Sequence, residues 1–179
     1  MRKRSVIAAV TLCLVACAGA GPYNCSKNYE PLSEEDEHAE RAVKASYEDV
    51  RRDPHGFADR TVSWFGVVTG YGELSKGRGR LVLSHRRHQA RHLCKTESDD
   101  SCRVTVSDKS MGDFTVDLDL TPEQRMGKEK VWFGSLMRVY ATASGEYDAN
   151  GNPIMKVAYY RHWPRGYYVT VSARSFMRR

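Results

Sequence analysis

The sequence has no apolar run long enough to cross a bilayer as a helix. Its longest, VIAAVTLCLV from Val6 to Val15, has ten residues, about half of what a spanning helix needs. It has no internal repeat and no low-complexity tract, which argues against a solenoid or a disordered linker protein. It also lacks a Ser/His/Asp order, a pair of catalytic acids and a nucleotide-binding glycine motif. Gly77-Arg78-Gly79 is a turn with no phosphate-loop lysine or serine after it. These absences point away from an enzyme, and no cofactor is expected. Cysteine is scarce, with five in 179 residues.

What is present begins at the N-terminus. Arg2, Lys3 and Arg4 form a positive segment ahead of the apolar stretch, which ends at Leu14-Val15-Ala16-Cys17. A short apolar core behind a positive end is the pattern of an export signal. The tetrapeptide resembles the lipobox of bacterial lipoproteins. That resemblance implies a lipid on the thiol of Cys17, cleavage before it and acylation of the new amine. Several acyl chains on one residue anchor a protein stably, where one is marginal. An ordinary signal cut near Ala18-Gly19-Ala20 is the competing reading. Ala18, where an aspartate would otherwise stand, implies by the same resemblance the outer membrane, with the domain facing the periplasm.

Residues 1–16 are thus read as signal peptide and 17–32 as a lipidated flexible tether rich in small and polar residues. Loss of the signal takes three of the 28 Lys and Arg residues and none of the 22 Asp and Glu, leaving a net charge of +3. That is too little for a strong nucleic-acid footprint, and nucleic acid is not an expected partner. The remaining chain has the length of one domain. Of its cysteines, Cys94 and Cys102 flank seven polar residues (KTESDDS), which suits a disulfide closing a loop between two strands in an oxidising compartment. Cys25 is then the odd thiol, free or bridging to another chain, and its pairing with Cys94 or Cys102 is the alternative.

Ser33 reads as an N-cap, with acidic residues in the first turn of a helix that runs to about Arg52 and stops at Pro54. From residue 53 to 179 the pattern is almost all strand. Runs stand at 61–71, 80–84, 103–107 (continuing at 114–120 after a bend), 135–144, 154–163 and 167–173. Phe114, Val116, Leu118 and Leu120 alternate with Thr115, Asp117 and Asp119, giving one buried and one wet face. Thr121-Pro122-Glu123 opens a short turn or helix to Gly127, and Asn150-Gly151 marks a hairpin. Five core strands with that short element between the third and fourth fit a mostly β fold: an OB-like five-stranded Greek-key barrel, with one N-terminal helix and an extra C-terminal strand. A β-sandwich is the alternative.

Asp53-Pro54, Phe57, Asp59, Val62, Trp64 and Gly66-Val67-Val68 resemble an N-terminal motif of the Slp-type family of starvation-inducible outer-membrane lipoproteins. Met155-Lys156-Val157, Tyr160 and His162-Trp163-Pro164 resemble its closing strand, and Gly145-Glu146 fits between. The likeness spans roughly residues 53–164. Phe65 departs from the family's glycine, and the insert at 85–102 and the tail after Pro164 have no counterpart. The shared positions are structural, so the resemblance implies an envelope lipoprotein and no particular chemistry.

Three constellations carry chemistry. His85, Arg86, Arg87, His88, Arg91 and His92 crowd one segment. Arg86, Arg87 and Arg91 are anion-binding candidates for lipid or lipopolysaccharide phosphates. His85, His88 and His92 are weak metal candidates, because on a strand the first two point to opposite sides. A solvated loop is the plain reading. Tyr159, Tyr160, Trp163, Tyr167 and Tyr168 are dense enough to form an aromatic surface, for which Tyr160, Trp163 and Tyr168 are the candidates, although alternation sends half of such rings inward. Asp117 and Asp119 read as a wet sheet face, and Asp99-Asp100 has no calcium-loop spacing. The expected function is a non-enzymatic structural or protein-interaction module of the envelope. The alternatives are a ligand-binding OB module for an oligosaccharide, lipid headgroup or other anion, and metal binding by the histidine insert. Expected partners are the outer membrane, envelope proteins, and a second copy through the C-terminal strand (if it is an unpaired edge) or Cys25.

Overall fold

The structure is a computed structural model that describes Tyr29 and residues 31–75, 78–89, 104–127 and 129–173. Cys17, Cys25, Arg91, His92, Cys94 and Cys102 lie outside the described residues, as do the signal peptide and most of the tether.

In chain order the elements are α1 (Ser33–Arg41), α2 (Tyr47–Arg52), β1 (Val62–Ser75), β2 (Arg78–Arg86), β3 (Val104–Val106), β4 (Asp113–Asp119), α3 (Pro122–Met126), β5 (Leu136–Tyr147), β6 (Pro153–Trp163) and β7 (Tyr168–Thr170). Five strands close a barrel in the order β1-β2-β4-β6-β5. All its pairings are antiparallel except β4 with β6. With α3 between the third and fourth barrel strands, this is the expected OB-like barrel.

Alternation along the strands builds two cores. Val62, Trp64 and Val68 of β1, Leu81 and Leu83 of β2, Phe114, Val116 and Leu118 of β4, and Met137, Val139 and Ala141 of β5 fill the main one. Gly66 sits where a Cβ would come within 2.9 Å of the Leu83 Cβ and 3.1 Å of the Phe114 ring, so only glycine lets β1 lie against that packing. The intervening residues Phe65, Leu136 and Trp163 form a second core with Val104 and Val106. That core lies on the opposite face of β1, β5 and β6, under the parallel pair β3–β7.

Three sequence expectations need correction. The run 103–107 does not begin the third barrel strand. Gln89 N–H donates to the Thr105 carbonyl (2.9 Å) and Ser107 N–H to that of Arg87 (2.8 Å), which draws β3 away from the barrel. The C-terminal strand shrinks to β7, and its pairing with β3 removes the premise of an unpaired edge on that side. The single helix expected at 33–52 is two. Val43 is extended, bridges to Val62 and donates its N–H to the Thr61 carbonyl (2.8 Å), so helix cannot continue there. The Ser46 hydroxyl then caps α2 by accepting from Asp49 N–H (3.1 Å). At α1 the cap position is Leu32, whose N–H donates to the Glu35 carboxylate (2.9 Å), and Ser33 is the first helical residue.

Glu35 also docks α1. Fully buried, it accepts from the Tyr29 hydroxyl (2.6 Å) and pairs with the buried Arg161 of β6 (3.0 Å). Thr121 caps α3 as its sequence suggests, and Gly151 turns the β5–β6 hairpin at φ 76°.

Candidate anion-binding cleft

The register across the sheet aligns Arg86 (β2), Phe65 (β1), Arg138 (β5) and Arg161 (β6) on one row. Tyr29 packs on this row, edge-on to Phe65 at 5.3 Å. Beside it opens a cleft of about 550 Å³, lined by Tyr29, Pro31, Ser63, Trp64, Phe65, His85, Arg86, Arg87, His88 and Arg138. Among the described residues the lining holds three arginines and no carboxylate. A neighbouring hollow of about 520 Å³ shares Ser63 and Arg138 and adds Lys44, again with no carboxylate among the described residues.

The three guanidinium groups are not equivalent. That of Arg86 donates to the backbone carbonyls of Ser107 (3.4 Å) and Asp108, and so holds the start of the turn after β3. Arg87 is exposed and is fixed by its backbone, whose N–H donates to the Ser107 hydroxyl (3.0 Å). Arg138 donates through Nε to the Ser63 hydroxyl (2.8 Å) and lies 4.5 Å above the Tyr29 ring. Among the described residues no carboxylate pairs with Arg87 or Arg138.

The histidines add no charge at neutral pH. Burial pushes His85 down to about 4, against a smaller upward pull from Glu48. Burial, then Arg138, lowers His88. His85 meets the main core, 5.2 Å from the Trp64 ring and 6.3 Å from Phe114, whereas His88 stacks on Phe65 at 4.9 Å. This is the opposed orientation that a strand dictates. Among the described residues no group of three or more His, Cys, Asp or Glu is arranged to hold a metal ion.

The aromatic candidates do not form a surface. Trp163 is fully buried in the second core. Tyr168 is half-buried and donates its hydroxyl to the Gly134 carbonyl (2.9 Å). Tyr160 packs against the main core and donates to Gln124 of α3 (2.7 Å). It lines a different, smaller hollow from that of Arg86 and Arg87. The continuous surface of Arg86, Arg87 and Tyr160 that a combined basic and aromatic ligand site would need is absent. Asp117 faces water beside Arg80 in a two-point ion pair (2.7 and 2.8 Å), as a wet sheet face should. The pair holds the Asp117 carboxyl below its ordinary range.

Sequence reading missed Arg138 and Tyr29. Arg138 falls at an outward position of β5, between the buried Met137 and Val139. Nothing local distinguishes it from any solvated arginine.

No family model and no curated protein matches this chain. Its chemistry therefore rests on the side chains themselves.

Proposed function

We propose that this chain is a non-enzymatic envelope lipoprotein, held by lipid on Cys17 at the periplasmic face of the outer membrane. Its barrel binds an anionic envelope component in the cleft between Arg87 and Arg138. The lipobox resemblance and the likeness to Slp-type lipoproteins support the location. The observation that carries the binding reading is the cleft lining, with its arginines, its aromatic rings and, among the described residues, no carboxylate. Guanidinium groups match phosphate and carboxylate oxygens with two parallel hydrogen bonds. The rings of Tyr29 and Phe65 beside Arg138 exclude water and strengthen that attraction.

Calorimetric titration tests this with two probes, glycerol phosphate for a lipid headgroup and a phosphorylated disaccharide for an envelope saccharide. Arg87→Ala and Arg138→Ala should each weaken binding about tenfold, the loss of one charge-assisted hydrogen bond or two. Added salt should weaken it further. Lys156→Ala, on the exposed side of β6, should leave it unchanged. Equal affinity in the wild type and the double arginine variant would remove the cleft from consideration.

A further inference from the structure

A different part of the molecule carries an interaction surface. Among the described residues the large exposed hydrophobics include Met126 (87%), Trp132 (43%) and Phe133 (47%), all in α3 or the loop between α3 and β5. The turn that ends this loop is held by hydrogen bonds. Ser135 N–H donates to the Trp132 carbonyl (2.9 Å), closing a β-turn with Phe133 at its corner. Gly134, the third residue of the turn, takes φ +82°, a conformation that glycine adopts freely. Trp132 N–H donates to the Ser135 hydroxyl (3.1 Å) and Gly134 N–H to the Val68 carbonyl (2.9 Å). Tyr168 closes the other side through its hydroxyl on the Gly134 carbonyl. The two rings meet edge to face at 5.3 Å. A firmly held turn thus keeps an indole and a phenyl ring in water, where Tyr71 covers the indole only in part.

Cations flank the rings. The Lys130 ammonium lies 4.1 Å above the Trp132 ring, and the exposed Arg165 packs along Gly134. The loop's carboxylate, Glu129, is exposed. Rings interleaved with basic side chains suit the boundary between acyl chains and anionic headgroups.

We propose that the Trp132–Ser135 turn is a docking tip that enters the headgroup layer of a lipid bilayer and sets the orientation of the barrel. The geometric support rests on the reading of Cys17 as the lipid anchor. The twelve residues from Cys17 to Tyr29 span at most about 40 Å. Tyr29 packs 5.9 Å from Trp163, which pairs with Leu136, three residues from Phe133. Anchor and tip therefore reach one lipid surface together.

The test uses the protein purified from envelopes and mixed with phosphatidylethanolamine–phosphatidylglycerol vesicles carrying brominated acyl chains. Of the three tryptophans, Trp64 and Trp163 are buried and out of reach of the bromines. Emission from Trp132 should shift to the blue and be quenched, and Trp132→Phe assigns the signal. Lys130→Glu with Phe133→Ser, both at exposed positions, should abolish most of the quenching while the thermal melt stays the same. Mass spectrometry of the N-terminal peptide scores lipidation separately. Lipid-anchored protein with unquenched Trp132 overturns the tip alone. Trp132 shielded only when envelope proteins are added overturns it in favour of a protein partner. Protein that stays in solution with an unmodified Cys17 overturns both the tip and the anchor.

Discussion

Acidification should destabilise this barrel chiefly through one imidazole, that of His85. Its side chain is enclosed by Tyr47, Trp64 and Phe114, only 8% of the residue is exposed, and its buried Nδ1 has no hydrogen-bond partner among the described residues. Burial keeps it neutral down to about 4, whereas the unfolded chain protonates at the ordinary value of 6.5. Above 6.5 both states are neutral and stability is unaffected. As pH falls through 6.5 the unfolded state gains a proton that the folded state refuses, so stability declines until about 4 and then levels. From pH 7.5 to 5.0 the loss from this group is about 2 kcal/mol, or roughly 4–8 °C in Tm for a chain of this size. Urea unfolding at both pH values, on wild type and His85→Gln, isolates the effect. His88 and His162, also lowered by burial, leave a shallower slope in both proteins. Equal pH dependence in the two proteins, within about 0.5 kcal/mol, would refute the account of a desolvated neutral imidazole.

Two further perturbations probe how the barrel is closed off. Glu35→Ala leaves the Arg161 guanidinium buried without that carboxylate and should cost about 3–5 kcal/mol. Limited proteolysis within 31–45 should accelerate, and Glu35→Leu with Arg161→Met should recover most of the loss. Cys94→Ser should lower the urea-derived stability by about 2–3 kcal/mol under oxidising conditions only, as expected for a short disulfide loop. An unchanged value would assign these thiols to other partners.

The barrel was legible where alternation is clean. Phe114, Val116, Leu118 and Leu120 announce one buried face, and all four are buried. Thr115 breaks that pattern because its hydroxyl donates to the Asp148 carboxylate (2.6 Å), thirty-three residues away, which no local window contains. The run at 103–107 has the composition of a core strand. Its partner β7 lies sixty-four residues on, so composition gave the strand without its sheet. Val43 fits helical periodicity as well as it fits the extended bridge it makes. At the candidate cleft the basic cluster at 85–88 was visible, but Arg138 needed strand register to bring it there. Val131, Trp132 and Phe133 are three apolar residues in a row, yet only Val131 is buried.

The β3–β7 pairing also dictates an order of assembly. The barrel strands can close among residues 62–163, but the second core lacks its cover until residues 168–170 meet 104–106. β3 and β7 are three residues each and dock on apolar side chains that only the closed barrel presents together, so their pairing follows barrel closure. A chain with a closed barrel and an unpaired β7 leaves Phe65, Leu136 and Trp163 bare. In that interval the protein is most prone to aggregate.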